Sequence, residues 1–322
     1  MMKKICVLTS GGDSPGMNAC IRAVARTAIY NGIEMEGAVG GFSGLVRGDF
    51  VPLDSRSVSN IIQRGGTILK AGRCKEFHRI RQRKIAYSNM DKQGIDGVVV
   101  IGGDGSFRGA HQMTLEHRVP VVGIPGTIDN DIYGSDTIGF DTAINTALSS
   151  IDKIKDTSIS HGLPFFIEVM GRHSGFIALE TSIAGGAEAA LLPEVLHDLE
   201  TVKNTVVECK KNGKMSIMVV VAEGNESGGA KAAGERIKRA TGIDYRTCVL
   251  GHTQRGGSPT AKDRVLASRL GYRAVNELMR GTTDMMIGEL NENPTLVPLK
   301  EAWSRKKEIS VQDLEMVKVF SI

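Results

Sequence analysis

Val98-Val99-Val100-Ile101-Gly102-Gly103-Asp104-Gly105-Ser106 is the stretch on which the fold turns. Four successive apolar, β-branched residues leave no polar face, as expected of a strand covered by helices on both sides. The glycines that follow let the backbone turn sharply and approach a ligand closely. An Asp among them suits either a phosphate-bound divalent ion or the cap of the next helix. Upstream the same unit recurs. Ile5–Leu8 reads as a strand, Ser10-Gly11-Gly12-Asp13-Ser14-Pro15-Gly16 as a turn, and Met17–Tyr30 as a helix. Met17, Ile21, Val24 and Ala28 recur there at helical spacing, and Asn31-Gly32 is a stop signal. Downstream, strands are predicted at 119–124, 165–170, 216–222 and 247–250, with helices at 79–93, 142–155, 201–211 and 262–279. This β-α-β series predicts an α/β chain of two doubly wound, mainly parallel three-layer domains. Boundaries are expected near Gly139 and near Gly251.

Composition agrees. The 322 residues are 41% hydrophobic, enough for a sizeable core, and the 39 glycines suit many tight turns. A net charge of only +4 gives no reason to expect a nucleic-acid or membrane surface. The five cysteines form no CxxC pair and the seven histidines no metal-ligand spacing, which suits a reduced, cytoplasmic protein. The apolar run after the first lysines is too short for a signal peptide, and no window is long and apolar enough for a membrane span.

Further motifs carry chemistry. A helix start behind the first turn offers free N–H groups and a positive dipole end to phosphate, although an ordinary strand-to-helix turn looks the same. No GxxxxGK[ST] loop is present. Val121–Ile124 runs into Pro125-Gly126-Thr127-Ile128-Asp129-Asn130-Asp131, where Asp129 and Asp131 are expected on one side of an extended segment. Two carboxylates at that spacing suit a general base with an orienting partner. Arg73, Arg172 and a group of Arg246, His252 and Arg255, expected at one strand end, supply cations whose geometry matches phosphate oxygens.

Taken in order, GGDSPGMN, GGDGS, PGTIDND, EVMGR and GHTQRGGSP resemble the ATP-dependent 6-phosphofructokinase family in its short bacterial form, over nearly the whole chain. The resemblance implies a kinase of glycolysis that phosphorylates fructose 6-phosphate with MgATP. It implies that Gly12, Arg73, Cys74, Gly103, Asp104, Gly105 and Ser106 hold the nucleotide, with Asp104 near Mg2+. Asp129 would take the proton of the sugar 1-hydroxyl, while Gly12, Thr127, Asp131 and Arg172 serve the reacting groups. Met170, Gly171, Glu223 and His252 would hold the sugar and Arg255 and Arg246 its 6-phosphate, Arg246 reaching from a neighbouring subunit. It also implies a homotetramer with an effector site between subunits, whose pattern Arg22, Arg26, Glu188 and Lys214 match. Residues 1–139 with about 252–302 would form the nucleotide domain, and about 140–251 with 303–322 the sugar-phosphate domain.

Some positions depart from that pattern. Leu163 stands where the family usually has a second cross-subunit Arg, Cys74 where an aromatic is frequent, and Ser55, Asn212 and Ser216 where effector-site bases are common. One lost hydrogen bond to a charged group is worth roughly 1.5–3 kcal/mol, or about ten- to hundred-fold in affinity. Gly105 and Gly126 replace the Asp and Lys usual in the pyrophosphate-dependent branch, which favours ATP. Two further classes stay open: a non-catalytic regulatory subunit, and an ATP pyrophosphatase suggested by Ser10–Ser14.

Overall fold

A computed structural model describes residues 2–195 and 198–321. In chain order these form β1 (Lys4–Thr9), α1 (Met17–Tyr30), β2 (Glu34–Ala38), α2 (Phe42–Arg47), β3 (Phe50–Pro52), α3 (Ile80–Gln93), β4 (Gly97–Gly102), α4 (Asp104–Glu116), β5 (Val121–Pro125) and α5 (Phe140–His161). There follow β6 (Phe165–Val169), α6 (Phe176–Gly185), β7 (Ala189–Leu191), α7 (Asp198–Lys211), β8 (Met218–Ala222), α8 (Gly229–Thr241) and β9 (Arg246–Val249). The chain ends with α9 (Ala261–Met279), β10 (Met285–Leu290), β11 (Asn293–Pro298), α10 (Leu299–Ser304) and α11 (Val311–Phe320). It divides into two compact units. The first holds Met1–Ile128, Ile132–Thr142 and Arg255–Lys307; the second holds Asp129–Asp131, Ala143–Gln254 and Glu308–Ile322. Met1 and Ile322, the outer limits of the expected domain ranges, lie outside the described residues.

The first unit is built on a seven-stranded sheet of order β11-β10-β5-β4-β1-β2-β3. Its interior strands are parallel, and only the edge strands β3 and β11 run antiparallel. Side chains of β1 alternate between two cores. Ile5 and Val7 pack with α1 and α9, whereas Cys6 and Leu8 pack with Phe107 of α4 and Tyr87 of α3. Val98–Ile101 splits the same way, and all four are fully buried. Each such side chain contributes about 1.5–3 kcal/mol of burial free energy. The doubly covered strand expected from the sequence is thus present. The second unit has a four-stranded parallel sheet of order β7-β8-β6-β9, with Phe166, Val219 and Val221 packed against α7 and α8.

Two expectations are corrected here. Asp129 and Asp131 do not lie on an extended segment: residues 128 and 129 form a turn, and Asn130 takes a left-handed φ of 53°. Asn tolerates that conformation because its short amide finds local partners. The second correction concerns Arg246, which opens β9, whereas His252 and Arg255 follow the end of that strand. The three cations do not share one strand end.

Candidate active site

In the first unit the chain passes from β1 to β2 on one side, then returns to place β4 on the other side of β1. The topological switch point lies between β1 and β4, where doubly wound sheets bind ligands at their carboxyl ends. Both Gly-rich turns stand there. The Ser10 N–H donates to Ile101 O at 2.9 Å, and the Gly126 N–H donates to Gly102 O at 3.0 Å. A Cβ at Gly102 would collide with Ser106 Oγ and with Ser10 O, so only glycine lets these loops close up. Thr127, half-buried, adjoins the same place, its Cβ 3.8 Å from where one at Gly103 would be.

Gly103 caps α4 with extended backbone, and Asp104 is the first residue of that helix. The Gly105 N–H donates to Asp104 Oδ1 at 2.6 Å. Asp104 is not the cap of the helix, a position that Gly103 holds without a side-chain hydrogen bond; it stands in the first turn, at the carboxyl end of β4 beside the switch point. Gly105 is exposed, and a Cβ there would meet nothing within 4 Å, whereas one at Gly126 would lie 3.0 Å from Ile101 Cγ2. Ser106 is buried. Gly11 donates to Gly72 O at 3.2 Å, which brings the exposed Arg73 and half-buried Cys74 beside the first turn. Arg255 completes this group. Its Nη1 donates to Asp13 O at 3.3 Å and fills the space that a side chain at Gly12 would need.

In the second unit the carboxyl ends of β6, β8 and β9 carry Met170-Gly171-Arg172, Glu223 and His252. Arg172 has a left-handed φ of 57°, and its N–H donates to Glu223 Oε1 at 2.7 Å. A Cβ at Gly224 would overlap Arg172 O, so that close approach requires glycine. Met170 is nearly buried and its N–H donates to Gln254 Oε1 at 3.4 Å. Asp129 is 8% exposed, and its carbonyl accepts from the buried Ser174 Oγ at 2.8 Å. Asp131 is half-buried. Arg246 lies at the amino end of the sheet, paired in register with Phe165, and its N–H donates to Pro164 O at 2.9 Å. Leu163 is next to that proline, so Leu163 and Arg246 share one edge and Arg172 sits at the other.

Of the expected effector residues, Arg22 and Arg26 are one helical turn apart on α1. Burial, and then the neighbouring Arg26, hold the Arg22 guanidinium below its ordinary value. Glu188 and Lys214 form an ion pair at 3.1 Å in the second unit, with Glu188 4% exposed. Sequence reasoning missed Ser174 and Gln254. Neither stands in a charged or Gly-rich motif of its own, and only their neighbours Arg172 and Arg255 gave a signal. It also missed Asp263. Among the described residues no group of three or more His, Cys, Asp or Glu side chains is arranged to hold a metal ion.

The comparisons with known proteins bear on the family and the fold. The family model described as Phosphofructokinase matches residues 4–278. The chain is 53% identical to "ATP-dependent 6-phosphofructokinase 1" of Thermus thermophilus over 322 residues, covering 100% of both chains. It is 49% identical to "ATP-dependent 6-phosphofructokinase 2" of Bacteroides thetaiotaomicron over 323 residues, covering 100% of this chain and 99% of that one. Among solved structures, phosphofructokinase from Saccharomyces cerevisiae superposes with a TM-score of 0.86 at 34% identity, over 94% of this chain but only 45% of the yeast chain. A pyrophosphate-dependent phosphofructokinase from Marinobacter aquaeolei superposes with a TM-score of 0.86 at 22% identity, over 100% of this chain and 92% of that one, a likeness of fold alone. With the motifs in order along a doubly wound sheet and half of all residues shared over the full length, the chain belongs to the phosphofructokinase family.

Proposed function

We infer that the protein transfers the terminal phosphoryl group of ATP to the 1-hydroxyl of fructose 6-phosphate, giving ADP and fructose 1,6-bisphosphate. The observation that carries this is the pair of Gly-rich turns meeting at the β1–β4 switch point, with Asp104 in the first turn of α4. The names of the full-length relatives support the donor and acceptor. ATP is also favoured by the open space at Gly105 and by the absence of a cation at Gly126, where a Cβ would sit tightly, 3.0 Å from Ile101 Cγ2.

Gly12, Arg73, Cys74, Gly103, Asp104, Gly105 and Ser106 would bind the nucleotide. A divalent metal accompanies the ATP, and Mg2+ fits, because it is held by one or two carboxylates with the phosphates completing its shell. Asp104 is the carboxylate that would hold it; bound there, the ion would neutralise phosphate charge. Asp129 would accept the proton as the sugar oxygen attacks the γ-phosphorus and the bond from that phosphorus to the β,γ-bridging oxygen breaks. Gly12, Thr127, Asp131 and Arg172 would align the groups and offset developing charge. Met170, Gly171, Glu223 and His252 would hold the sugar. Arg255 would meet the 6-phosphate, and Arg246, exposed at the far edge of its sheet, would serve a neighbouring subunit of a homotetramer. Arg22, Arg26, Glu188 and Lys214 are proposed as an effector site. The proposed setting is the cytoplasm; among the described residues no helix is long and apolar enough to cross a membrane.

Initial rates with ATP or pyrophosphate as donor, against fructose 6-phosphate and other sugar phosphates, test the reading. Turnover is expected with ATP and fructose 6-phosphate. A preference for pyrophosphate would remove the donor assignment, and inactivity with every sugar would favour the regulatory class.

A further inference from the structure

Asp263 lies in the first turn of α9, 1% exposed, and the chemistry above gives it no part. Its Oδ1 accepts the Gly139 N–H at 2.8 Å. Its Oδ2 accepts the Thr142 N–H at 2.8 Å and the Thr142 hydroxyl at 2.5 Å. Gly139 directly precedes α5 and Thr142 is its third residue. First-turn N–H groups have no partner within their own helix. A carboxylate from α9 therefore caps α5 from outside and opposes its dipole. The two helix starts are cross-linked further. Thr260, the N-cap of α9, donates from Oγ1 to Asp141 Oδ2 at 2.6 Å and from its N–H to Thr142 Oγ1 at 3.0 Å. Burial pushes the Asp263 carboxyl up, and the hydrogen bonds from Thr142 and Gly139 pull it back toward the charged form.

The turn fixed in this way is also the wall against which the first Gly-rich loop rests. Gly139 has φ +102°, and a Cβ there would stand 2.6 Å from Ser14 Cβ and 3.1 Å from Pro15 Cδ. Gly16 has φ +105°, and a Cβ there would stand 2.6 Å from Ile138 Cγ2. The segments touch with no room for a methyl group, and neither backbone conformation suits another residue. Arg255 holds the same loop at its middle residue Asp13, and Asp263 lies beside Gly16, so the segment 255–263 meets the loop at two places.

We propose that Asp263 is a positioning residue for phosphoryl transfer: by anchoring the Gly139 turn and the start of α5, it holds the 10–16 loop where the nucleotide phosphates must sit. It acts through Gly139 and Thr142 and meets no substrate. The proposal rests on the reading of that loop as part of the ATP site.

The test compares the full-length Asp263→Asn, Thr142→Val and Arg83→Met proteins for kcat, for both KM values and for Tm. In Asp263→Asn one carboxylate oxygen becomes an NH2 facing an N–H donor. Misplacement on the scale of an ångström is costly, so kcat should fall at least about tenfold while both KM values stay within about threefold. Thr142→Val keeps the volume while removing the hydroxyl that donates to Asp263 and accepts from the Thr260 N–H; the carboxylate keeps its two backbone donors, and a smaller fall in kcat is expected. Arg83→Met breaks the ion pair with Glu116, the last residue of α4, and the bonds to the Phe77 and His78 carbonyls, none of which touches the 10–16 loop; it should lower Tm and leave kcat unchanged. Asp263→Asn with wild-type kcat, or a kcat loss in Arg83→Met that tracks Tm in the same proportion, would overturn the proposal. If Asp263→Asn does not fold, Thr142→Val decides: reduced kcat at unchanged KM supports the proposal, and unchanged kcat overturns it. A wild-type chain inactive with ATP and fructose 6-phosphate would overturn the ATP-site reading as well, so the two failures are distinguishable.

Discussion

Asp129 and Leu163 are the two residues whose replacement says most. Asp129 is almost buried in a turn fixed from behind by Ser174, which suits a base held in one position. Asp129→Ser should lower kcat by at least about 10²-fold, the scale of a lost general base, with much smaller changes in KM. Steady-state kinetics would show this, and a near-normal kcat would remove Asp129 from the mechanism. Leu163 is half-buried beside Pro164, which accepts from Arg246. If a phosphate clamp is missing there, Leu163→Arg should tighten fructose 6-phosphate binding by up to roughly 1.5–3 kcal/mol. The gain should shrink at high salt if the new pair is exposed. A wild-type KM typical of the family, with no gain in the variant, would mean that another cation already compensates. Asp129 stands out in the sequence because it sits in a short motif with a chemical reason for its spacing, and Leu163 only because it departs from the family pattern. What the sequence hid was the backbone around them: the left-handed Asn130 turn defeats simple alternation. The single register of β9 with β6 puts Arg246 and His252 at opposite ends of one four-residue strand.

At the scale of elements, α3 and α4 are joined by a partly buried network outside the site. Arg83 donates to Glu116 through Nε at 2.7 Å and Nη2 at 2.6 Å, while Tyr87 and Gln112 donate to the same carboxylate at 2.9 and 2.6 Å. The Arg83 hydrogen bonds, against the opposing effect of burial, pull Glu116 from 4.5 down to about 2. A depressed carboxyl stabilises the fold above its unfolded value and loses that contribution as pH falls toward the folded one. Denaturant unfolding should therefore show a stability loss between about pH 4.5 and pH 2 to which Glu116 contributes. Arg83→Met should cost roughly 1.5–3 kcal/mol at pH 7 and flatten that dependence. An unchanged acid profile in the variant would show that other carboxylates set it. The elements themselves were unevenly legible. Met17–Tyr30 was readable to the residue because its apolar spacing and its Asn-Gly stop agree. Helix α4 has no predicted range, only the expectation of a helix after Asp104; Gly105 and Gly109 interrupt its pattern, and it starts at once with Asp104. Helix α6 has apolar residues nearly all round, so periodicity could not mark it. The edge strands β3 and β11 carry prolines and pair antiparallel, outside the β-α-β rhythm that announced the rest.

For the whole molecule, the alternation of strands and helices announced two doubly wound sheets, and both are present. The partition was harder to read, because contacts distant in sequence decide it: Asp129–Asp131 group with the second unit while the residues on both sides group with the first. Assembly is the level furthest from the sequence, and the exposed Arg246 gives it a test. Arg246→Ala and Asp129→Ser chains, each nearly inactive, should regain some activity when dissociated and reassembled together, since a hybrid site can combine one good residue from each. No recovery after demonstrated mixing would count against sites shared between subunits. The central claim is narrower: ATP is the donor and the sugar 1-hydroxyl the acceptor. Phosphorus NMR of the purified wild-type chain with ATP, Mg2+ and fructose 6-phosphate tests it directly. The prediction is one new phosphomonoester resonance coupled to the C1 protons of the sugar, growing in step with ADP. ADP and free phosphate without that resonance, or a phosphate on another hydroxyl, would contradict it.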